Sequence, residues 1–416
     1  MHELKKINID QLRLGMFIAG FCGSWMEHPF WNTRFRLASS ADLEAIRNSP
    51  IAEIWIDPAR GLDVDDSAAE TRAARSARIE AELSAIVAQH PALPATRTLA
   101  AELPLAAALC REGARVVDAL FAAARGGEVL DTGALPALVD AITASVARHP
   151  LALASLARIK GTHDYDSRHA IAVSAWMGAL ACALGASAEE VHEAALAGLV
   201  HDIGKARVPR TVIDKAGKLS EAEFALVRTH PEAGHALLAA AGGIGTAALD
   251  VCLHHPEKLD GSGYPHGLRG EAIGRYARMG AVCDVYDAVT SERVYMRGWD
   301  PATALRRMAD WADGHFDTTV FGAFVGITGL YPPGALVRLD SGLLAVVCDT
   351  ASGAATQPTV RTVYCTRRDA PVSPATLDLA TGSACIVARE DPAAWNLERL
   401  DAVWAGEDTL AVLHGH

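Results

Sequence analysis

Sixteen histidines are spread through this 416-residue chain, and nine of them fall between positions 163 and 266. A lone helical histidine is usually a surface or satisfied core residue, so the flanks and spacing carry the information. In "GLVHDIGK", 198–205, an apolar helical run ends on His201-Asp202 and is followed by Gly204-Lys205. Imidazole suits borderline divalent metals, and a carboxylate has two oxygens with which to bridge a pair of them. Adjacent helical residues project about 100° apart and can address different edges of a binuclear site. A helix C-terminus with a glycine cap, where histidine favours the dipole, is the plain alternative.

Three further segments extend the pattern. "THPEAGHALL", 229–238, places His230 before Pro231 at a helix boundary. "CLHHPEKLDGSGYPHGLRG", 252–270, sets His254 and His255 at the end of an apolar segment, ahead of a turn-rich loop. Glycines there allow the backbone to approach a ligand closely. "ARMGAVCDVYDAVTSERVY", 277–295, holds Asp284 within an apolar helical stretch. A buried aspartate needs a partner or a metal. Asp287, one turn on, reads either as support for a ligand or as a surface acid.

The elements that must position these groups follow from pattern and capping. Residues 1–63 predict a small α+β domain. "MFIAGF" and "IAEIWID" have strand length and composition, and "SSADLEAIRNS" between them predicts a helix. Residues 64–150, rich in Ala, Glu and Arg, predict a helical connector broken near Pro91, Pro94 and Gly126. Residues 151–330 predict a helical domain, with capping boxes at Ser187/Glu190 and Ser220/Glu223. Residues 331–416 predict a β-rich C-terminal extension, with a Ser-Gly turn at 341–342. The fold class expected is therefore multidomain and mainly α around the histidines. Trp25, Trp31 and Trp55 read as core of the first domain.

Composition narrows the partners. The net charge of -12 argues against a sequence-independent grip on long nucleic acid. It leaves room for a small anion at a metal site, where bound cations reverse the local sign. The eight cysteines include no C-x-x-C pair and read as free thiols of a reducing compartment. The first residues lack a signal-peptide core, and no apolar run reaches the length of about 18 residues needed to span a membrane. A cytoplasmic location is the expectation.

Taken together, "HDIGK…THPE…HHPEKLDGSGYPHGLRGEAI…ARMGAVCDVYDAVTSERVY…GHFD" resembles the HD-GYP family, a branch of the HD metal-dependent phosphohydrolases. The resemblance covers about 155–330. Residues 6–63, with "LRLGMFIAGF" and "WMEHPFW", resemble the small domain of unknown function often fused ahead of it. The resemblance implies seven metal ligands: His169, His201, Asp202, His230, His254, His255 and Asp284, with Asp202 bridging. It implies that Lys205 faces the scissile phosphate, that Gly263, Tyr264 and Pro265 form the GYP loop, and that Arg293 binds substrate. Tyr264 reads equally as a turn residue packed on Pro265 or as a stacking platform for guanine. His192, His235 and His266 are set aside as ligands, and His163 as a rim residue.

The activity implied is hydrolysis of cyclic di-GMP to pGpG or GMP at two divalent metals, Fe or Mn. Such a pair can clamp the attacking and leaving oxygens of a phosphoryl displacement. A non-catalytic cyclic di-GMP receptor, or a module whose GYP loop contacts a signalling protein, is the alternative. A mixed cyclic dinucleotide is a third reading. Departures from the family pattern are Tyr165, where some members carry a Glu that holds a third metal, Met296 in place of a basic residue, and Thr318 in place of Pro.

Overall fold

The structure is a computed structural model describing residues 4–21, 34–47, 53–64, 72–159, 165–217, 219–291, 298–350 and 356–415. The chain divides into two compact units, 1–82 and 83–416. In the first unit, strands β1 (Lys5–Asn8), β2 (Phe17–Phe21), β3 (Phe35–Arg36) and β4 (Glu53–Ile56) form an antiparallel sheet ordered β1-β4-β2-β3. Helix α1 (Ser40–Arg47) lies between β3 and β4 in sequence. Ile54 and Ile56 alternate inward with half-buried Glu53 and Trp55, and join Ile7, Leu12, Met16, Ile18, Leu37 and Ile46 in one core. Trp25 and Trp31 lie outside the described residues. Helix α2 (Arg72–Gln89) straddles the division between units.

The second unit begins with the rest of the Ala-rich stretch, which is helical: α3 (Leu99–Gly126) and α4 (Leu135–Arg148). These two pack on the helices that follow, α5 (Ala152–Ala157), α6 (Tyr165–Ala183) and α7 (Ala188–Val200), so they are part of the bundle. After a 3-10 turn at Ile203–Arg207 come α8 (Arg210–Ile213), α9 (Glu221–Val227), α10 (His230–Ala241) and α11 (Thr246–His254). A long loop leads to α12 (Arg275–Thr290), α13 (Pro301–His315) and α14 (Thr318–Thr328). Both capping boxes form as the sequence predicts: Ser187 and Ser220 accept from the amides of Glu190 and Glu223, whose side chains bond back.

An aromatic triad behind the histidines ties three of these helices together. Trp176 of α6, Tyr286 of α12 and Phe324 of α14 meet with centroids 5.0–5.5 Å apart in edge-to-face geometry. Each such pair contributes about 0.5–1.5 kcal/mol beyond its buried area.

The C-terminal region carries β5 (Leu336–Leu339), β6 (Leu343–Asp349), β7 (Thr359–Cys365), β8 (Ala370–Pro371), β9 (Thr376–Asp378) and β10 (Ile386–Arg389). The order is β10-β5-β6-β7-β8, with β9 also on β7, and every pair is antiparallel. Two helices not anticipated in this β-rich stretch follow, α15 (Leu400–Ala405) and α16 (Glu407–His414). The second packs on α3, and Arg168, beside His169, donates to the Leu413 carbonyl at 3.1 Å. The seven cysteines among the described residues are free thiols. No helix among the described residues is long and apolar enough to cross a membrane.

Candidate metal centre

Five segments of the second unit bring the centre together: α6 with His169, the α7 end with His201 and Asp202, the start of α10 with His230, the α11 end with His255, and α12 with Asp284. Close approach of these segments depends on small residues. A Cβ at Gly204 would fall 1.9 Å from the His230 carbonyl oxygen, so the 3-10 turn after Asp202 can lie on α10 only with glycine there.

The six side chains form two groups that share Asp202. In one, the ligand atoms of His169, His201, Asp202 and Asp284 lie within 4.8 Å of one another. In the other, those of Asp202, His230 and His255 do so. Asp202 Oδ2 is 3.3 Å from both His169 Nε2 and His201 Nε2, while its Oδ1 is 3.4 Å from His230 Nε2 and 3.6 Å from His255 Nε2. Asp284 Oδ1 reaches His169 Nε2 at 3.0 Å and His201 Nε2 at 3.7 Å.

The imidazoles are oriented so that Nε2 faces inward. His201, His230 and His255 place Nδ1 2.8, 2.7 and 3.0 Å from the carbonyls of Gly198, Val227 and Val251. A carbonyl only accepts, so Nδ1 carries the proton and Nε2 offers its lone pair. His201 Nε2 and Asp202 Oδ1 are buried with no hydrogen-bond partner. Unpartnered lone pairs converging in a buried site, from imidazole and carboxylate alone, are the donor set of a divalent metal centre.

The electrostatics differ across Asp202. Burial opposes charging of His169, yet its contacts with Asp202, Asp284 and Asp287 raise its pKa to about 10. His201 is also raised, against burial, by Asp202 and Asp284. Burial lowers His230 to about 4 and His255 to about 3. Asp202 and Asp284 are both held well below the ordinary carboxylate range despite burial, Asp202 first by Lys205 and Asp284 first by its bond to His169. Lys205 contacts the Asp202 carboxylate directly. Burial acts to lower its pKa, and Asp202 and Asp284 outweigh that and raise it, so the ammonium stays charged.

His254 is not brought to this group. Its Nδ1 is 2.8 Å from Asp250 Oδ1 and its Nε2 3.1 Å from His266 Nδ1. Two adjacent residues at a helix end diverge by about 100°, and the packing of α11 turns His255 inward and His254 outward. Asp250, four residues before His254, is a partner that its spacing could have disclosed. Tyr165 stacks on the His169 ring, centroids 5.7 Å apart. Asp287 is fully buried, 2.6 Å from His169 Nδ1, and is not a surface acid.

The GYP segment borders the site. Gly263 is buried where a Cβ would lie 2.4 Å from the Glu257 backbone. The buried Glu257 carboxylate accepts from the amides of His266 and Leu268 at 2.7 and 3.1 Å, fixing the stretch just after Pro265. The half-buried Tyr264 ring lies 6.2 Å from that of His230 and 6.3 Å from that of Phe224, with the Arg228 guanidinium 5.2 Å over it. Sequence reasoning missed Glu257, Phe224 and Arg228, since nothing in their spacing marks them. Arg293 and His163, as well as Met296, lie outside the described residues.

Fold and site together are those of an HD-domain protein. The HD domain family matches residues 142–320, and a domain of unknown function, DUF3391, matches 4–135, well past the stretch its motifs disclose. The chain is 46% identical over 406 residues to the cyclic di-GMP phosphodiesterase PA4108 of Pseudomonas aeruginosa, covering 97% of this chain and 96% of that protein. It is 45% identical over 130 residues to the cyclic di-GMP phosphodiesterase response regulator RpfG of Xanthomonas campestris, which is 31% of this chain and 34% of that one. It is 36% identical over 147 residues to the 3'3'-cGAMP-specific phosphodiesterase 1 of Vibrio cholerae, 35% of this chain and 34% of the other. The chain belongs to the HD-GYP family.

Proposed function

We propose that this protein hydrolyses cyclic di-GMP, to pGpG or on to GMP, at two divalent cations, Fe or Mn, in cytoplasmic second-messenger signalling. The observation that carries this reading is Asp202, which presents one oxygen to His169 and His201 and the other to His230 and His255. A carboxylate shared in this way, between two sets of inward lone pairs, is suited to bridging a pair of cations. His169, His201, Asp202 and Asp284 would hold one, and Asp202, His230 and His255 the other. Such cations would supply Lewis acidity to a phosphodiester oxygen and acidify a water near neutral pH.

The chain's own residues do the rest. Lys205, charged and about a quarter exposed, would neutralise charge growing on the phosphate. Gly263, Tyr264 and Pro265, with Arg293, would receive the remainder of the dinucleotide. Tyr264 offers a flat apolar wall beside the centre, with Arg228 across one of its faces. Tyr165, stacked on the His169 ring, stands where some family members carry a Glu that holds a third metal, which supports two cations and not three.

The test is turnover of cyclic di-GMP by protein loaded anaerobically with Fe, Mn, Co or Ni, resolved by chromatography. Conversion to pGpG or GMP is expected. Binding of cyclic di-GMP without conversion under every metal would favour a receptor, and preferential cleavage of 3'3'-cGAMP would shift the substrate to a mixed dinucleotide.

A further inference from the structure

Three of the four inward histidines are oriented by a carbonyl of their own chain, three or four residues upstream. His169 is oriented differently. Its Nδ1 lies 2.6 Å from Asp287 Oδ2, and both side chains are almost wholly buried. Asp287 comes from α12, which three residues earlier provides Asp284, 3.0 Å from the opposite nitrogen of the same ring. One helix therefore addresses both nitrogens of one imidazole. The Asp287 carboxylate is itself fixed, because Ser291 Oγ donates to the same oxygen at 3.3 Å.

A carboxylate behind an imidazole fixes its tautomer and makes it a stronger ligand than a carbonyl partner does. It also adds negative charge close to a bound cation, where the low dielectric strengthens the attraction. The two ligand groups are thus unequal. The His169 group contains the carboxylates of Asp202 and Asp284, with Asp287 directly behind it, whereas among the described residues Asp202 is the one carboxylate of the His230 group. The geometry points to Asp287 as a positioning residue that makes the His169 half of the centre the tighter of two cation sites.

This inference rests on the two-cation reading above, and its test separates the two. Full-length protein is loaded with Co²⁺ anaerobically and titrated with a chelator, with bound metal followed by elemental analysis and by the visible Co²⁺ spectrum. In the wild type, two cations should leave in two resolved steps. Asp287→Asn is nearly isosteric and removes the charge. It should weaken retention in the later step about 10–100-fold, drawing it toward the earlier one, and should shift the Co²⁺ bands of that step only. His255→Ala should abolish the earlier step instead. Ser291→Ala, which frees the Asp287 carboxylate without removing it, should move the later step in the same direction by less, and serves if Asp287→Asn does not fold. The inference is overturned if Asp287→Asn and Ser291→Ala leave both steps in place, if both steps weaken equally, or if the wild type releases both cations in one step. A wild type that binds fewer than two cations would overturn the two-cation reading itself.

Discussion

The ligand groups at the floor of the site sit on helices or at their ends, and all but Asp284 are at most 4% exposed at the side chain. At the rim, Gly263, Tyr264 and Pro265 lie on the loop between α11 and α12, half-buried apart from Gly263, and are fixed by Glu257 through backbone amides. The floor points its ligand atoms at one another and leaves His201 Nε2 and Asp202 Oδ1 without a hydrogen-bond partner, as a set of cation ligands would. The rim has its own hydrogen bonds and leaves aromatic surface beside the centre. Changes to the floor should therefore remove chemistry and metal together, and changes to the rim should alter substrate affinity while the metal stays.

The largest effect is expected at Asp202. Asp202→Ala, or His201→Ala, should take turnover of cyclic di-GMP below detection and remove most bound metal, as elemental analysis after desalting would show. Retention of two cations by Asp202→Ala would break the distinction between floor and rim. Lys205→Met sits between the two regions. It should lower kcat by about 10²–10³, the usual cost of one charge-stabilising donor, with metal content unchanged. Equal loss of metal would make Lys205 part of the floor. Tyr264→Ala should raise KM for cyclic di-GMP by about tenfold, within the roughly 1–3 kcal/mol that base stacking supplies, with kcat less affected. A fall in kcat alone would instead make Tyr264 a turn residue packed on Pro265.

The smallest effect concerns pH and a histidine outside the centre. Burial, then the charge of Lys258, lowers the pKa of His315 to about 3 from an ordinary value of 6.5. The unfolded chain thus binds this proton below about pH 6.5 and the folded chain does not. Stability from this group is complete above pH 6.5 and is lost as pH falls toward 3. His315→Phe, which can keep the stack on Phe316 (4.1 Å between centroids), should flatten the fall of Tm between pH 6.5 and 4. An unchanged acid slope would contradict this.

Much of the floor was legible in the sequence because its chemistry needs specific residue types. Both capping boxes mark where helices leading to His201 and His230 begin, and six of the seven expected ligands come together. His254 did not, because which of two adjacent histidines turns inward is decided by how α11 packs on its neighbours. The role of Asp287 was left open for the same reason. Its partner His169 is 118 residues away, and only the packing of α12 on α6 joins them. The helical character of α2, α3 and α4 was readable from the composition of the stretch that holds them. That α3 and α4 pack on α6 follows from buried surfaces that Ala-rich helices advertise weakly. Likewise, α15 and α16 are short, and their place depends on contacts such as Arg168 with the Leu413 carbonyl.

The central claim is that Asp202 bridges two cations in unequal surroundings. A crystal structure of anaerobically loaded protein, with anomalous scattering recorded at the metal edge, tests it most directly. The account predicts two peaks flanking the Asp202 carboxylate, one among His169, His201 and Asp284 and the other beside His230 and His255. A single peak, or a further one beside Tyr165 or between His254 and His266, would contradict it.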